Sequence, residues 1–253
     1  MLQHGILPPS RRRRPVCCQV GPDPREVKDG LQNSDGWIDV RGKGRLGETM
    51  SFYSRVIFPR LCDCMMGLPS LTEQRKMLLA DVGGDILEIG FGTGLNLPHY
   101  PKDVRRITTV DPNPGMNNLA LRRIASSGIE VDQRRLGGEA MPFSDGSFDF
   151  VVGTWTLCGI RQVAQVLGEV YRVLRRGGRY VLLEHGLSDD PGVQKWQRRL
   201  NPIQGLLANG CRLDLDVEAV VRGQQFRDVQ IERFEMEQLP RTQRSMYRGI
   251  AVR

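Results

Sequence analysis

The sequence has no long apolar run. Nowhere in its 253 residues does hydrophobicity persist for the ~18 positions that suggest a membrane-crossing helix. Cysteine is sparse and scattered. Cys17, Cys18, Cys62, Cys64, Cys158 and Cys211 are too few for a disulfide scaffold, and a reducing compartment suits them. Cys62-x-Cys64 has no second pair at zinc-ligand spacing, so no metal site is expected. Acidic excess is missing too. Lys and Arg number 36 against 29 Asp and Glu, a net charge of +7, which permits contact with anionic lipid or nucleic acid and identifies neither. The apolar share of 40% and the charged share of 26% fit a soluble globular protein.

Residues 1–49 lack any sustained helical or strand period. Pro8-Pro9, Arg11 to Arg14 and Gly21-Pro22-Asp23-Pro24 read as a disordered extension. The arginine run precedes Pro15 with no apolar core behind it, which excludes a secretory signal. A solvated charge run is the plain reading of Arg11 to Arg14, with a nuclear-targeting or nucleic-acid patch as the sharper one. Patterning begins abruptly at Met50-Ser51-Phe52-Tyr53. One reading therefore starts translation at Met50 and makes the first 49 residues an artefact of start-site assignment.

What is present is organised around Asp85-Ile86-Leu87-Glu88-Ile89-Gly90-Phe91-Gly92-Thr93-Gly94-Leu95-Asn96. A short apolar run reads as a strand buried on both faces. Gly90, Gly92 and Gly94 then let the backbone turn sharply and approach a ligand closely. Before this stretch, apolar Ser51–Met66 reads as a helix kinked or divided at Pro59, either a lid over the site or an interfacial helix touching a membrane or a greasy substrate. Ser70-Leu71-Thr72-Glu73 reads as a capping box opening a helix to about Ala80. After it, strands at 107–110, 129–131, 148–152 and 180–183 alternate with helices at 95–100, 114–126 and 163–174, the last closed by Gly177-Gly178. Helices at 194–207, interrupted by Pro202, and 216–223 follow, then two closing strands at 226–234 and 246–252. The expected fold is α/β: a Rossmann-like, seven-stranded, mostly parallel sheet with helices on both faces, plus an N-terminal helical lid over 50–80.

Ligands of such sheets lie beyond the carboxyl ends of the strands. Asp111 ends the second strand there and is placed to accept from ribose hydroxyls, or simply to cap a helix. Glu139-Ala140 follows the third strand, where an adenine amino group could be met. A dinucleotide fingerprint needs glycine at position 95, which is Leu95. That absence, with Glu88 inside the strand, weakens a nicotinamide cofactor and favours S-adenosylmethionine, which has no pyrophosphate to seat.

Leu87-Glu88-Ile89-Gly90-Phe91-Gly92-Thr93-Gly94 resembles motif I of class I S-adenosylmethionine-dependent methyltransferases. Val110-Asp111 resembles their ribose-binding motif. Gly138 to Phe143 with Ser147-Phe148-Asp149, and Val173 to Gly178, resemble later segments of the quinone- and lipid-modifying members. Thr154 to Cys158, Glu184-His185-Gly186 and Gly210 to Leu213 are similar to a subgroup with bacterial phospholipid N-methyltransferase-like proteins and animal alkyl thiol methyltransferases. The animal proteins carry a hydrophobic N-terminal anchor; here only the shorter Ser51–Met66 stretch corresponds.

The resemblance implies a methyltransferase domain over 81–253 and S-adenosylmethionine as cofactor. Gly90, Gly92 and Gly94 would line its methionine part, Asp111 its ribose, and Glu139 and Ala140 its adenine. Thr154 would lie near the methionine end, and Glu88 and Pro112 complete the set. His185 is the expected base, with a structural hydrogen-bonding role as its rival. Cys158 reads as packing, Cys211 and Asp214 as borders of the acceptor pocket, Trp196 and Tyr53 as core or lid. The expected acceptor is a small lipophilic molecule or lipid headgroup, a phospholipid amine or an alkyl thiol, met by a cytoplasmic protein with peripheral membrane contact and no obligate protein partner. The rivals are a nucleic-acid methyltransferase, a non-catalytic cofactor-binding protein and a nicotinamide oxidoreductase. Gly153-Thr154-Trp155-Thr156 is not the Asn/Asp-Pro-Pro-aromatic motif of amino-base methylases, which argues against N6-adenine chemistry.

Overall fold

The computed structural model of the protein describes residues 52–253. The expectations for residues 1–49, including the disordered extension and the start at Met50, lie outside the described residues.

Seven strands form one sheet: β1 (Ile86–Ile89), β2 (Arg106–Val110), β3 (Glu130–Arg134), β4 (Phe148–Thr154), β5 (Leu174–His185), β6 (Asp228–Glu235) and β7 (Ser245–Val252). Their order is β3-β2-β1-β4-β5-β7-β6. β1 to β5 pair in parallel, and β7 runs antiparallel to both its neighbours. This is the expected Rossmann-like sheet with one reversed strand. The order turns back between β1 and β4, so the two chain paths diverge there and open a crevice at the carboxyl edge.

Alternation along the strands divides the core between two faces. Leu87, Val151 and Leu182 point to one, where α4 (Val163–Val173) buries Val163, Val166, Leu167, Val170 and Val173. Ile86, Val152 and Val181 point to the other, with Leu79 and Ala120 from α2 (Pro69–Leu79) and α3 (Pro114–Ser127). Each such side chain taken fully out of water contributes about 1.5–3 kcal/mol. β1 is buried at all four positions, as a central parallel strand must be.

α3 starts and stops where its sequence dictates. Pro114 occupies the first turn, Asn113 accepts from the Gly115 N–H, and Gly128 closes the helix at φ +71°. α5 (Pro191–Leu207) is capped by Asp190 and α6 (Val217–Arg222) by Asp216. Ahead of the sheet, a π-helical turn (Tyr53–Ile57) winds into α1 (Phe58–Met66). The change of winding falls at Pro59, which has no N–H to continue the earlier pattern.

Four local expectations are corrected. Ser70 is not a cap: Pro69 already occupies the first turn of α2 and Leu68 precedes it without a side-chain bond. Gly177-Gly178 does not end α4, which stops at Val173. It lies in an irregular opening of β5, where Gly177 takes φ +80° and pairing with β4 slips between Phe148 and Phe150. Pro202 does not break α5, so the helix runs on with one backbone bond forgone. The segment after the glycine turn shortens to a single 3-10 turn, Leu97–His99.

Candidate active site

The glycine turn follows β1 directly, and its three glycines all adopt positive φ: +68° at Gly90, +58° at Gly92 and +77° at Gly94. L side chains resist this region, and the cost is about 1–2 kcal/mol per residue. Gly90 has a second reason to be glycine, since a Cβ there would run into the Thr156 side chain arriving from the end of β4. At Gly92 a Cβ would meet almost nothing, only the Gly90 carbonyl at 3.8 Å. It would project into open space, which is how a backbone cradle for a ligand looks from inside.

Asp111 locks this turn to β2. One carboxylate oxygen accepts from the Gly92 N–H at 2.8 Å, the other from the Asn113 N–H at 2.8 Å. Burial raises its pKa and the two backbone donors pull it down. Each oxygen keeps a lone pair for a further donor. Glu88, within β1, is completely enclosed. It accepts from Tyr100 Oη at 2.7 Å and Asn96 Nδ2 at 2.8 Å, and burial lifts its pKa to about 7. Asn96 Nδ2 also donates to Thr154 Oγ1 at 3.1 Å, tying the turn to β4. Its Oδ1 is buried with no partner among the described residues. A buried acceptor left open beside a glycine cradle suits an ammonium donor, and the α-amino group of S-adenosylmethionine is one. The donor and acceptor set therefore fits that cofactor.

A cover reaches this cradle from the N-terminal helices. Asp63 in α1 takes Arg123 of α3 at 2.7 and 3.2 Å and the Thr93 hydroxyl at 2.5 Å. Arg123 also donates to the Thr93 carbonyl at 2.9 Å. Asn113 Nδ2 donates to the Ser54 carbonyl at 2.9 Å, and the Arg55 carbonyl sits where a side chain at Gly115 would go. The outward face of this segment is apolar: Ile57, Leu61, Met65 and Leu68 repeat at helical spacing and all are exposed. Tyr53 Oη donates to the Leu207 carbonyl at 2.5 Å, linking the cover to the end of α5, where Ile203, Leu206 and Leu207 are also exposed.

β4 and β5 supply the other side of the edge. Trp155 holds φ +50°, a strained setting for an aromatic residue, beneath the buried Arg75 guanidinium at 4.6 Å. Glu184 accepts from the Thr156 and Leu157 N–H groups at 2.7 and 2.9 Å, and burial lifts its pKa to about 7. His185 Nε2 lies 3.1 Å from Cys211 Sγ, and Cys211 and Cys158 share a thiol hydrogen bond of 3.5 Å. That bond, with His185 alongside, holds the Cys211 thiol well below its usual range, while the shared bond and burial push Cys158 up.

The structure thus brings Glu88, Gly90, Gly92, Gly94, Asp111 and Thr154 together at one crevice. Pro112 is exposed beside them. Ala140 is exposed, and the Glu139 carbonyl accepts from Gln165 at 2.8 Å; no described bond joins either to the glycine turn. Trp196, read as core or lid, is 57% exposed with Arg199 5.7 Å above its ring. Asn96, Thr156 and the Asp63–Arg123 latch were not singled out from sequence. A signal for Asn96 existed, a polar residue in an apolar stretch eight positions past Glu88; for the latch there was none.

Residues 87–182 match the family model described as a methyltransferase domain. Human thiol S-methyltransferase TMT1A is 38% identical over 132 residues, 51% of this chain and 54% of that protein. Rat thiol S-methyltransferase TMT1B is 35% identical over 152 residues, 58% and 62% of the two chains. The chain thus spans a little over half the length of these thiol methyltransferases. Phosphatidylethanolamine N-methyltransferase of Cereibacter sphaeroides is 30% identical over 140 residues, 54% of this chain and 68% of that protein. A crystal structure of a Thermotoga maritima S-adenosylmethionine-dependent methyltransferase aligns with TM-score 0.58 at 18% identity, over 79% of this chain and 97% of that one, and supports the fold alone. With the motif order, the strand order and these matches in hand, the chain belongs to the class I S-adenosylmethionine-dependent methyltransferases.

Proposed function

We propose that the protein moves the methyl group of S-adenosylmethionine onto the sulfur of a small lipophilic thiol. The observation that carries this reading is the likeness to two thiol S-methyltransferases at 35–38% identity. The exposed apolar stripe of α1 beside the crevice supports a lipophilic acceptor. In this reading the cradle at Gly92 and the open acceptor of Asn96 hold the methionine part, Asp111 takes the ribose hydroxyls, and the segment from Glu139 to Ala140 borders the adenine. Glu88 acts through Asn96 as a positioning residue.

The cofactor supplies an already activated methyl, a sulfonium whose carbon–sulfur bond is ready to break. The chain's own task is to align the acceptor opposite that bond and to exclude water. The latch from Asp63 to Thr93 and Arg123 fixes the cover that does the excluding. The thiol must shed its proton before or during attack, and that step falls to the Cys158–His185–Cys211 group, which includes the expected base, His185.

The likeness to a phosphatidylethanolamine N-methyltransferase, of which the chain covers the larger share, favours a lipid amine as the second reading. Methyl-labelled cofactor supplied in parallel with an alkyl thiol, phosphatidylethanolamine vesicles, a quinone precursor and RNA separates the readings. Label in the thiol fraction is the expected result. Label confined to lipid replaces the first reading with the second, and label in RNA or nowhere overturns both. Peripheral contact with a membrane accords with the lipid reading and with the exposed apolar stripe. No helix of the described residues is long and apolar enough to cross one.

A further inference from the structure

Cys158, His185 and Cys211 are separated by 27 and 26 residues in the sequence, yet their ligating atoms all lie within 4.8 Å of one another. We propose that these three side chains form a binding site for a soft divalent cation of the zinc type, with a fourth position left open at the acceptor side. The spacing rule that excluded a metal at Cys62-x-Cys64 could not detect it, because the ligands come from the 3-10 turn after β4 (Leu157–Gly159), the end of β5 and the loop after α5.

Tetrahedral zinc with metal–sulfur bonds of about 2.3 Å and metal–nitrogen bonds of about 2.0–2.1 Å puts the sulfurs about 3.8 Å apart and nitrogen about 3.6 Å from each sulfur. The observed separations are 3.5 Å between the sulfurs and 3.1 Å between Cys211 Sγ and His185 Nε2. A cation would need to spread these two pairs by about 0.3–0.5 Å, and the third pair, Cys158 and His185, lies within 4.8 Å. The backbone holds them ready. Asn209 and Gly210 turn through φ +50° and +95° and return the chain to β4. There the Arg212 N–H donates to the Cys158 carbonyl at 2.8 Å, and the Leu213 N–H is held by Asn201 at 2.8 Å. Gln204 Nε2 approaches Cys211 Sγ at 3.7 Å, as outer-shell donors to thiolates do. Two thiolates and a neutral imidazole balance a doubly positive ion, and the two thiol protons leave to solvent.

The open position gives the site its use. Three protein ligands plus one exchangeable position is the pattern of catalytic rather than structural zinc. An acceptor thiol entering there would lose its proton to solvent and be held as thiolate, so with the cation bound His185 serves as a ligand and is not needed as the base. Its sulfur would attack the sulfonium methyl while the breaking bond's electron pair stays on the cofactor sulfur, leaving a thioether. This last role rests on the thiol-acceptor reading; the cation site itself does not.

Cobalt(II) tests the two parts separately. The full chain, reduced and freed of reductant, is titrated with cobalt(II) and followed by absorption. The expected result is one equivalent bound, with a thiolate-to-cobalt charge-transfer band and intense tetrahedral visible bands. Cys211→Ser and His185→Ala lose these bands, while circular dichroism and thermal unfolding show them folded. The Cys17, Cys18, Cys62 and Cys64 to serine variant keeps them. No thiolate band in protein with free thiols, or bands that survive both single variants, overturns the site. Ethanethiol added to the cobalt protein should shift the visible bands. No shift overturns the open position and its role, and leaves the cation site standing. Methyl transfer to a thiol that continues undiminished after chelation refutes that role while confirming the thiol-acceptor reading.

Discussion

Between β1 and α3, ligand-facing atoms are held by bonds that span few residues. Asn96 reaches Glu88 over 8 positions, Tyr100 reaches it over 12, and Gly92 reaches Asp111 over 19. Between β4 and α5 the spans lengthen: His185 to Cys211 is 26 positions and Cys158 to Cys211 is 53. The first region is held chiefly between β1, its glycine turn and the end of β2, with one longer tie from Asn96 to Thr154 of β4. The second exists only once β4, β5 and α5 have packed. In the proposed reading, the first region holds the cofactor and the second meets the acceptor.

Substituting Gly90 should show most strongly how tightly the first region is built. Gly90→Ala combines positive φ with a collision at Thr156, and urea unfolding should report a loss of about 2–4 kcal/mol. A loss under 1 kcal/mol would mean that the turn yields and the region is not rigid. Next comes Glu88. Burial lifts its pKa from 4.5 to about 7, so the folded chain keeps a proton that the unfolded chain releases. The associated stability is complete below about pH 4.5 and is lost as pH rises through about 7. Glu88→Gln removes that loss, and thermal unfolding at pH 8 should find the variant more stable than wild type by up to about 3 kcal/mol. At pH 4.5 the two should agree. A gain at both pH values would sink the titration argument.

Asp111→Ala should weaken S-adenosylmethionine binding more than tenfold by calorimetry, since the ribose loses a charge-assisted acceptor and Gly92 loses its anchor. A folded variant with unchanged affinity would refute the placement of the ribose. Asp63→Ala should have the smallest effect, because its ion pair with Arg123 is partly exposed at both ends and such pairs are worth about 1 kcal/mol or less. Cofactor dissociation should quicken two- to fivefold with the unfolding midpoint nearly unchanged. An effect as large as that of Asp111→Ala would erase the distinction between cradle and cover.

The same contrast explains how much was readable in the sequence. β1, the positive-φ glycines, Asp111 and the caps of α3 follow from neighbours along the chain. So do the alternating helices and strands, and with them the fold. Register slips such as that opening β5 depend on pairing with β4, and Gly177-Gly178 looked like a helix stop because helix stops use the same residues. Pro202 misled for a related reason: propensity marks a break, yet α5 runs through it and forgoes one backbone bond. The Asp63–Arg123 latch and the grouping of two cysteines with His185 lie beyond local reading, since nothing near Cys158 announces Cys211.

The latch has a kinetic corollary. Asp63 grips Thr93, which stands between two of the three turn glycines. In the proposed reading, spent cofactor would leave the pocket only after that grip is released. Donor exchange and the opening of the cover become one event, and an acceptor that wedges α1 away would hasten the departure of its own by-product. Turnover would then be timed by a hinge near Pro59 rather than by the methyl's flight.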